Sequence, residues 1–264
     1  MITFLVPLLL LHFGNLMTSI LTLDTFLLAY LILFVGSLTQ SLIGFGFAIV
    51  ASPLLYLVDP SLVPIPIIFL GFFTSLLSIL RERKSLKLDG IQYALIGRIP
   101  GGFIGTGLLI AAPSAVLGLS ISLIVGATVV LSLFKFDITI NKLNLFIAGV
   151  LSGIFGNIAA IGGPPIAILL SGKEANHFRT TLAAFFIVSS IIAIAILILF
   201  DLIEWVHLTT ALLLLPAVLL GSFTAGPLIK HINKQHTRRF TLCLCSISAL
   251  LLAVNSLSEL NLGF

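Results

Sequence analysis

Charged residues are scarce in this sequence. Only 8% of the 264 residues are Asp, Glu, Lys or Arg, whereas about 25% is usual in a soluble domain. So few charges cannot cover a water-facing surface of this size, which argues against a nucleic-acid-binding protein, a receptor with an ectodomain and most soluble enzymes. Because 59% of the residues are hydrophobic, we expect an all-α polytopic membrane protein surrounded by the lipid bilayer.

Groups that carry catalysis or bind metal are also scarce. The two cysteines, Cys243 and Cys245, lie in an apolar run with no His or carboxylate nearby, so neither a disulfide framework nor a metal site is expected. The apolar runs contain no series of acidic residues typical of a proton relay and no nucleophile–histidine pair. We therefore expect no enzyme, no cofactor and no metal, and we expect neither a pump nor an intramembrane hydrolase.

The apolar runs, separated by polar breaks, define the predicted spans. They cover about 2–22, 25–58, 62–80, 91–112, 114–134, 143–171, 180–200, 207–229 and 239–257. The runs 25–58 and 143–171 are too long for one crossing, since a helix rises about 1.5 Å per residue and the hydrocarbon core is about 30 Å thick. Each is either one long broken helix or a hairpin of two short helices.

The distribution of positive charge favours the hairpin. If 143–171 enters and returns on the same side, every Lys and Arg except Arg98, 12 of the 13, lies on one side of the membrane. A single crossing would divide them six and six. Positive residues concentrate in cytoplasmic loops, so we expect hairpins, with the N-terminus and the basic loops in the cytoplasm.

The same reasoning applied to 25–58 predicts an inverted-topology repeat. Each unit is a broken-helix hairpin followed by three transmembrane helices, and the two units have opposite orientations. The first repeat covers 24–134, a cytoplasmic linker 135–142, and the second repeat 143–257. Residues 1–23 form an extra N-terminal span, because they lack the basic start and cleavage site of a signal peptide.

Four short similarities between the two halves support this repeat. They have the same order in both halves, although each is weak by itself. The matching elements are Gly36–Gly44 with Gly149–Gly156, Pro53 with Pro165, Pro100 with Pro216, and Gly105 with Gly221.

The breaks within the two hairpins predict the binding site. Irregular backbone at membrane depth requires protein or water to satisfy its polar groups, and a helix that starts there directs N–H groups at an anion. Simple close packing of small residues is the alternative. Gln40 and Asn157 either bind an oxyanion or hold the hairpin backbone together. The candidate substrate-binding residues are Gln40, Ser41, Gly44, Gly46, Ser52, Arg98, Asn157, Gly162, Gly163 and Pro164.

Arg98 is the one charged residue inside a predicted span, next to a probable kink at Pro100. A buried arginine is costly unless it is paired. An anionic substrate or carbonyl groups freed by Pro100 would satisfy it. Alternatively, its side chain extends to the inner membrane surface.

These motifs resemble those of the sulfite exporter TauE/SafE family, also called the 4-toluene sulfonate uptake permeases. The similar stretches are Gly36–Ala48, Gly97–Gly101, Gly149–Gly156, Ile161–Pro165 and His177–Ala184. The resemblance implies a duplicated bacterial or archaeal inner-membrane transporter of sulfur-containing anions such as sulfite, sulfonates or sulfoacetate.

We therefore predict a secondary transporter of a small anion, a sulfur oxyanion or organosulfonate, that works by alternating access at a midplane site between the hairpins. The alternatives are an anion channel, a carboxylate transporter and, less well supported, an intramembrane enzyme. The protein acts either as a monomer or as a homo-oligomer.

Overall fold

The computed structural model describes residues 22–44, 46–82, 90–134, 139–170, 174–228 and 234–262. Within these ranges the chain forms ten α-helices, one short 3-10 turn and no strand. The helices are α1 Leu23–Ile43, α2 Phe47–Val58, α3 Ile65–Glu82, α4 Ile91–Ala111, α5 Ser114–Leu133, α6 Lys142–Ala159, α7 Pro164–Leu170, α8 Ala175–Leu199, α9 Trp205–Leu228 and α10 Lys234–Leu262.

Seven of the described helices contain a stretch that is long and apolar enough to cross a bilayer. They are α1, α4, α5, α6, α8, α9 and α10. This confirms the predicted all-α, multi-pass membrane fold. The predicted N-terminal span and six of the 12 lysines and arginines of the basic loops lie outside the described residues.

The first long run breaks at two glycines. Gly44 ends α1 in a left-handed conformation (φ 100°), and its N–H donates to the carbonyl of Gln40 at 2.7 Å. Gly46 (φ 120°) then starts α2. The chain turns back there. The turn is shown by the proximity of Gly36 to Phe47, since a side chain at Gly36 would contact the carbonyl of Phe47. Glycine permits both bends at little steric cost.

The second long run breaks in the same manner. Helix α6 ends at Ala160, which has a left-handed φ of 58°, and α7 begins at Pro164. The hydroxyl of Ser152 donates to the carbonyl of Gly162 at 2.5 Å, so this run also folds back. Both long runs are therefore hairpins, and the alternative of one long broken helix is wrong.

The two arms of each hairpin differ in length, which the sequence did not predict. Helix α1 has 21 residues and α2 has 12, which correspond to roughly 31 and 18 Å. Helix α6 has 18 residues and α7 has 7, roughly 27 and 10 Å. The first arm of each hairpin is thus long enough to cross a bilayer, and the expectation of two short helices is wrong for these arms.

The helix pairs that pack together follow one pattern in both halves. Helix α4 packs on α6 of the second hairpin, and α9 packs on α1 of the first. Helix α3 packs on α8 and α5 packs on α10. Exchanging α1–α5 with α6–α10 leaves these pairs unchanged. The packing supports two related units, while their boundaries and opposite orientations stay predictions.

Glycines lie where helices make close contact. A side chain at Gly105 of α4 would contact the carbonyl of Ile154 in α6, and one at Gly221 of α9 would contact the carbonyl of Phe34 in α1. Gly105 and Gly221 were matched between the two halves of the sequence. Each lies where its helix closely contacts the first helix of a hairpin. Small residues allow such close contacts between membrane helices.

The buried apolar side chains form two main clusters. The larger surrounds the first hairpin and includes residues of α5, α9 and α10, and the smaller joins α4 and α8 to the second hairpin. Leu214, which corresponds to Arg98 in the predicted repeat, lies in the larger cluster and is 1% exposed. At this pair of matched positions, only the first half therefore carries a charge.

The hairpin topology predicts which residues share one side of the membrane. On a background without Cys243 and Cys245, we expect cysteines at the exposed positions 141 and 174 to react with an impermeant thiol reagent from the cytoplasm only. A cysteine at the exposed Glu204 should react from the outside only. Because 141 and 174 flank the second hairpin, labelling of these two positions from opposite sides would contradict the topology.

Candidate functional site

Arg98 lies in the first half of α4 and is buried, with 3% of its surface exposed. It occupies the α4 face that contacts α6, where a side chain at Gly156 would overlap its guanidinium group. The absence of a side chain at Gly156 makes room for the charge. Because the guanidinium is enclosed by other helices, the interpretation that it extends to the membrane surface is wrong.

Four hydrogen bonds hold the Arg98 guanidinium. Nη1 donates to the carbonyl oxygen of Ser152 and to its Oγ, the latter at 3.3 Å. Nε donates to the carbonyl of Ser189 at 3.3 Å, and Nη2 to Oδ1 of Asn157 at 3.5 Å. The carbonyls that accept belong to α6 and α8, and not to the turn of α4 freed by Pro100. All these partners are neutral, so they leave the positive charge uncompensated.

Asn157 orients this charge. Its Nδ2 donates to Oγ1 of Thr106 at 2.9 Å and to the carbonyl of Gly102 at 3.3 Å. Because the amide nitrogen is used there, the amide oxygen faces Arg98. Asn157 is fully buried, and all its polar atoms contact protein. The geometry favours a supporting role over direct contact with a substrate.

A cavity of about 60 Å³ lies beside Arg98 and between the two breaks. By the same measure, about 10–15 Å³ holds one water molecule, so there is room for a small polyatomic ion. Its polar and glycine lining comes from both hairpins and from α3, α4 and α8: Gln40, Gly46, Gly71, Ser75, Arg98, Gly156, Gly162, Gly163, Ser189 and Ser190. In the part of the chain that the structure describes, no acidic residue lines this cavity.

At both breaks, residues whose backbone N–H groups lack a helical partner line the cavity. Ala48 and Ile49, in the first turn of α2, line it, and N–H groups of a first turn have no partner within the helix. At the second break, α7 begins with Pro164 and Pro165, which lack an N–H. The donors on this side are instead Gly162 and Gly163, whose N–H groups bond to no other described residue.

Five of the ten predicted site residues line the cavity: Gln40, Gly46, Arg98, Gly162 and Gly163. Gln40 also binds its own hairpin and α3, since its Oε1 accepts from the N–H of Phe47 at 3.3 Å and its Nε2 donates to Thr74 at 3.0 Å. This geometry favours the interpretation that Gln40 holds the hairpin backbone.

The other five residues lie off the cavity wall. Ser52 donates to the carbonyl of Ala159 at 2.5 Å and joins the two hairpins. Gly44 contacts the side chain of Arg179, and Ser41 is half-buried. Pro164 lines a separate apolar groove between α5 and α6, and Asn157 acts through Arg98.

Four further serines belong to the site. Ser75, Ser189 and Ser190 line the cavity, and Ser152 lies behind it. The adjacent serines Ser189 and Ser190 stand out within the apolar sequence of α8, and this could have indicated a polar site. Periodicity alone does not show that this pair faces the first hairpin.

A metal site is not visible in the described ranges, which contain no group of three or more His, Cys, Asp or Glu side chains. The expectation that no metal is bound stays a prediction.

Comparison with known proteins identifies the family. The family model described as Sulfite exporter TauE/SafE matches residues 28–252, most of the chain. The chain belongs to the TauE/SafE family. The matched range contains every residue that lines the cavity. No curated protein and no solved structure gives a significant match.

Membership of the TauE/SafE family, together with the seven apolar helices, makes this protein a multi-pass membrane transporter. The resemblance noted in the sequence is thereby confirmed. In this TauE/SafE protein the hairpin breaks and Arg98 adjoin one cavity.

Proposed function

We propose that this protein carries a small anion, a sulfur oxyanion or an organosulfonate, across the inner membrane. The observation that supports this most is the cavity beside Arg98, which is lined by one cation and by residues of both hairpin breaks and, among the described residues, by no acidic side chain. In a low-dielectric site such an arrangement attracts negative charge and repels cations. The family supports the sulfur-containing class of substrate.

The proposed mechanism is alternating access, with the two hairpins moving relative to each other around the bound anion. The packing supports this, because each hairpin is joined tightly to one helix of the other half, α4 or α9. Among the described residues, one buried hydrogen bond links the hairpins, from Ser52 to the carbonyl of Ala159, together with apolar packing of Ile158 and Ile161. A limited direct contact of this kind suits two bodies that separate and rejoin.

Counterflow in proteoliposomes tests the proposal. Vesicles loaded with unlabelled sulfite should accumulate radiolabelled sulfite from outside transiently, and the initial rate should saturate with concentration. Methanesulfonate should compete, whereas sodium or choline should not. Flux that never saturates and shows no counterflow would indicate a channel. If acetate but not sulfite is exchanged, the substrate is a carboxylate.

A charge change at Asn157 separates anion binding from cavity shape. In Asn157→Asp, a carboxylate of nearly the same size faces Nη2 of Arg98, now 3.5 Å from the amide oxygen. Its negative charge compensates Arg98, so we expect sulfite affinity to fall at least about tenfold. Isothermal titration of the purified protein measures this.

Asn144→Asp is the matched control, since Asn144 lies at the start of the same helix and away from the cavity. It adds the same charge and should leave sulfite affinity within about twofold. Equal losses in both variants would show that Arg98 does not set the affinity.

A further inference from the structure

The hydroxyl of Ser152 connects Arg98 to the second hairpin break. Ser152 is fully buried and does not line the cavity. Its Oγ donates to the carbonyl of Gly162 at 2.5 Å and accepts from Nη1 of Arg98 at 3.3 Å. A hydroxyl has a single proton, so the direction of this chain is fixed: Arg98 donates to Ser152, and Ser152 donates to Gly162.

This series of two hydrogen bonds determines which way the peptide group between Gly162 and Gly163 faces. The peptide is trans, since the one cis bond found in the described residues is at Pro64. In a trans peptide the C=O and the following N–H point in opposite directions. Because Ser152 holds the Gly162 carbonyl on its own side, the N–H of Gly163 turns away from Ser152. Gly163 lines the cavity, and its N–H bonds to no other described residue.

We propose that Ser152 is a positioning residue that turns the Gly162–Gly163 peptide so that the Gly163 N–H and Arg98 bind the same anion. The inference rests on the proposed function, because it concerns the same cavity. Glycine on both sides of the peptide gives it wide conformational freedom. Without the hydroxyl, the peptide is free to rotate and present its carbonyl oxygen to the cavity, where an anion would be repelled.

The test measures dissociation constants of sulfite and methanesulfonate for the purified full chain by ligand-induced thermal stabilisation. In Ser152→Ala we expect both anions to bind about 10- to 100-fold more weakly, the range for losing hydrogen bonds to a charged group. Ser37→Ala is the matched control. Ser37 is an equally buried hairpin serine that donates to the carbonyl of Val218 at 2.6 Å, away from the cavity. Its loss should change affinity by less than about twofold, although it too lowers thermal stability.

A second pair of variants tests the inference even if Ser152→Ala folds poorly. Thr and Val have nearly the same volume, and only Thr keeps the hydroxyl, so Ser152→Thr should bind sulfite at least about tenfold more tightly than Ser152→Val. Equal affinities in these two, or wild-type affinity in Ser152→Ala, would overturn the inference.

Anion binding by the wild type distinguishes the two possible failures. If the wild type binds sulfite and Arg98→Leu does not, while the Ser152 variants all bind like the wild type, the positioning role is wrong and the proposed function stands. If the wild type binds neither anion, both are wrong.

Discussion

Arg98→Leu should lose anion binding and transport while keeping the helical fold. Arg98 is the one cation that lines the described cavity, and removing one partner of a buried charge pair costs about 2–5 kcal/mol. We therefore expect sulfite affinity to fall about 100-fold or more, with sulfite counterflow lost at concentrations that saturate the wild type. Circular dichroism and thermal melting check that the variant is folded.

Some stability will be lost as well, because Oδ1 of the fully buried Asn157 loses its donor, Nη2 of Arg98. Each unsatisfied group costs about 1–3 kcal/mol. Arg98→Lys keeps the charge, but its single ammonium group cannot reproduce the planar set of donors, so we expect intermediate binding.

Arg81→Leu is the matched control for Arg98→Leu. Arg81 is exposed at the end of α3, with its guanidinium carbon 5.4 Å from the centre of the Phe223 ring. The substitution removes an equal charge outside the cavity and should leave the sulfite dissociation constant within about twofold. If Arg98→Leu also binds sulfite with wild-type affinity, the anion site is wrong and Arg98 is structural.

Gly101→Ala should be the most destabilising of the methyl-sized substitutions in α4. A side chain at Gly101 would overlap the backbone carbonyl of Val150 in α6, and backbone moves less easily than a side chain. Overpacking of this kind costs about 1–3 kcal/mol, partly offset by the higher helix propensity of alanine, about 1 kcal/mol. We expect a net loss of up to about 2 kcal/mol, seen as a lower melting temperature.

Gly107→Ala provides the comparison within the same helix. Gly107 is exposed, and a side chain there would have no atom within 4 Å. Only the propensity effect remains, so the melting temperature should stay the same or rise. A similar decrease in both variants would mean that loss of glycine itself, and not the contact between α4 and α6, destabilises the protein.

Much of the fold was predictable because the bilayer restricts the length of a membrane-spanning helix and the placement of charged residues. A run such as 143–171 is too long for one crossing, and the positions of the lysines and arginines are consistent with its return. The glycines at 44 and 46 mark the first break correctly, since they adopt conformations that other residues rarely do. The unequal arms were not predicted, because the position of a break does not show how far the chain continues after it.

The candidate site was predicted less completely. Gln40 and Asn157 were recognised as polar residues near the breaks, yet both amides bind protein groups. Ser52 was expected at the site and joins the hairpins instead. Ser189 was missed because it becomes part of the site only when α8 packs beside α4. A residue type indicates which hydrogen bonds are feasible, whereas its neighbours determine which are formed.

The sequence by itself determined that this is a multi-pass helical membrane protein with two interrupted runs and one arginine within a span. Those features follow from composition, length and local backbone preference, which act along the chain. The tertiary structure decided that both interruptions and Arg98 adjoin one cavity, and that Ser152, Asn157 and Ser189 hold the charge there. Such contacts join residues tens of positions apart, and only the packing of helices brings them within hydrogen-bonding distance.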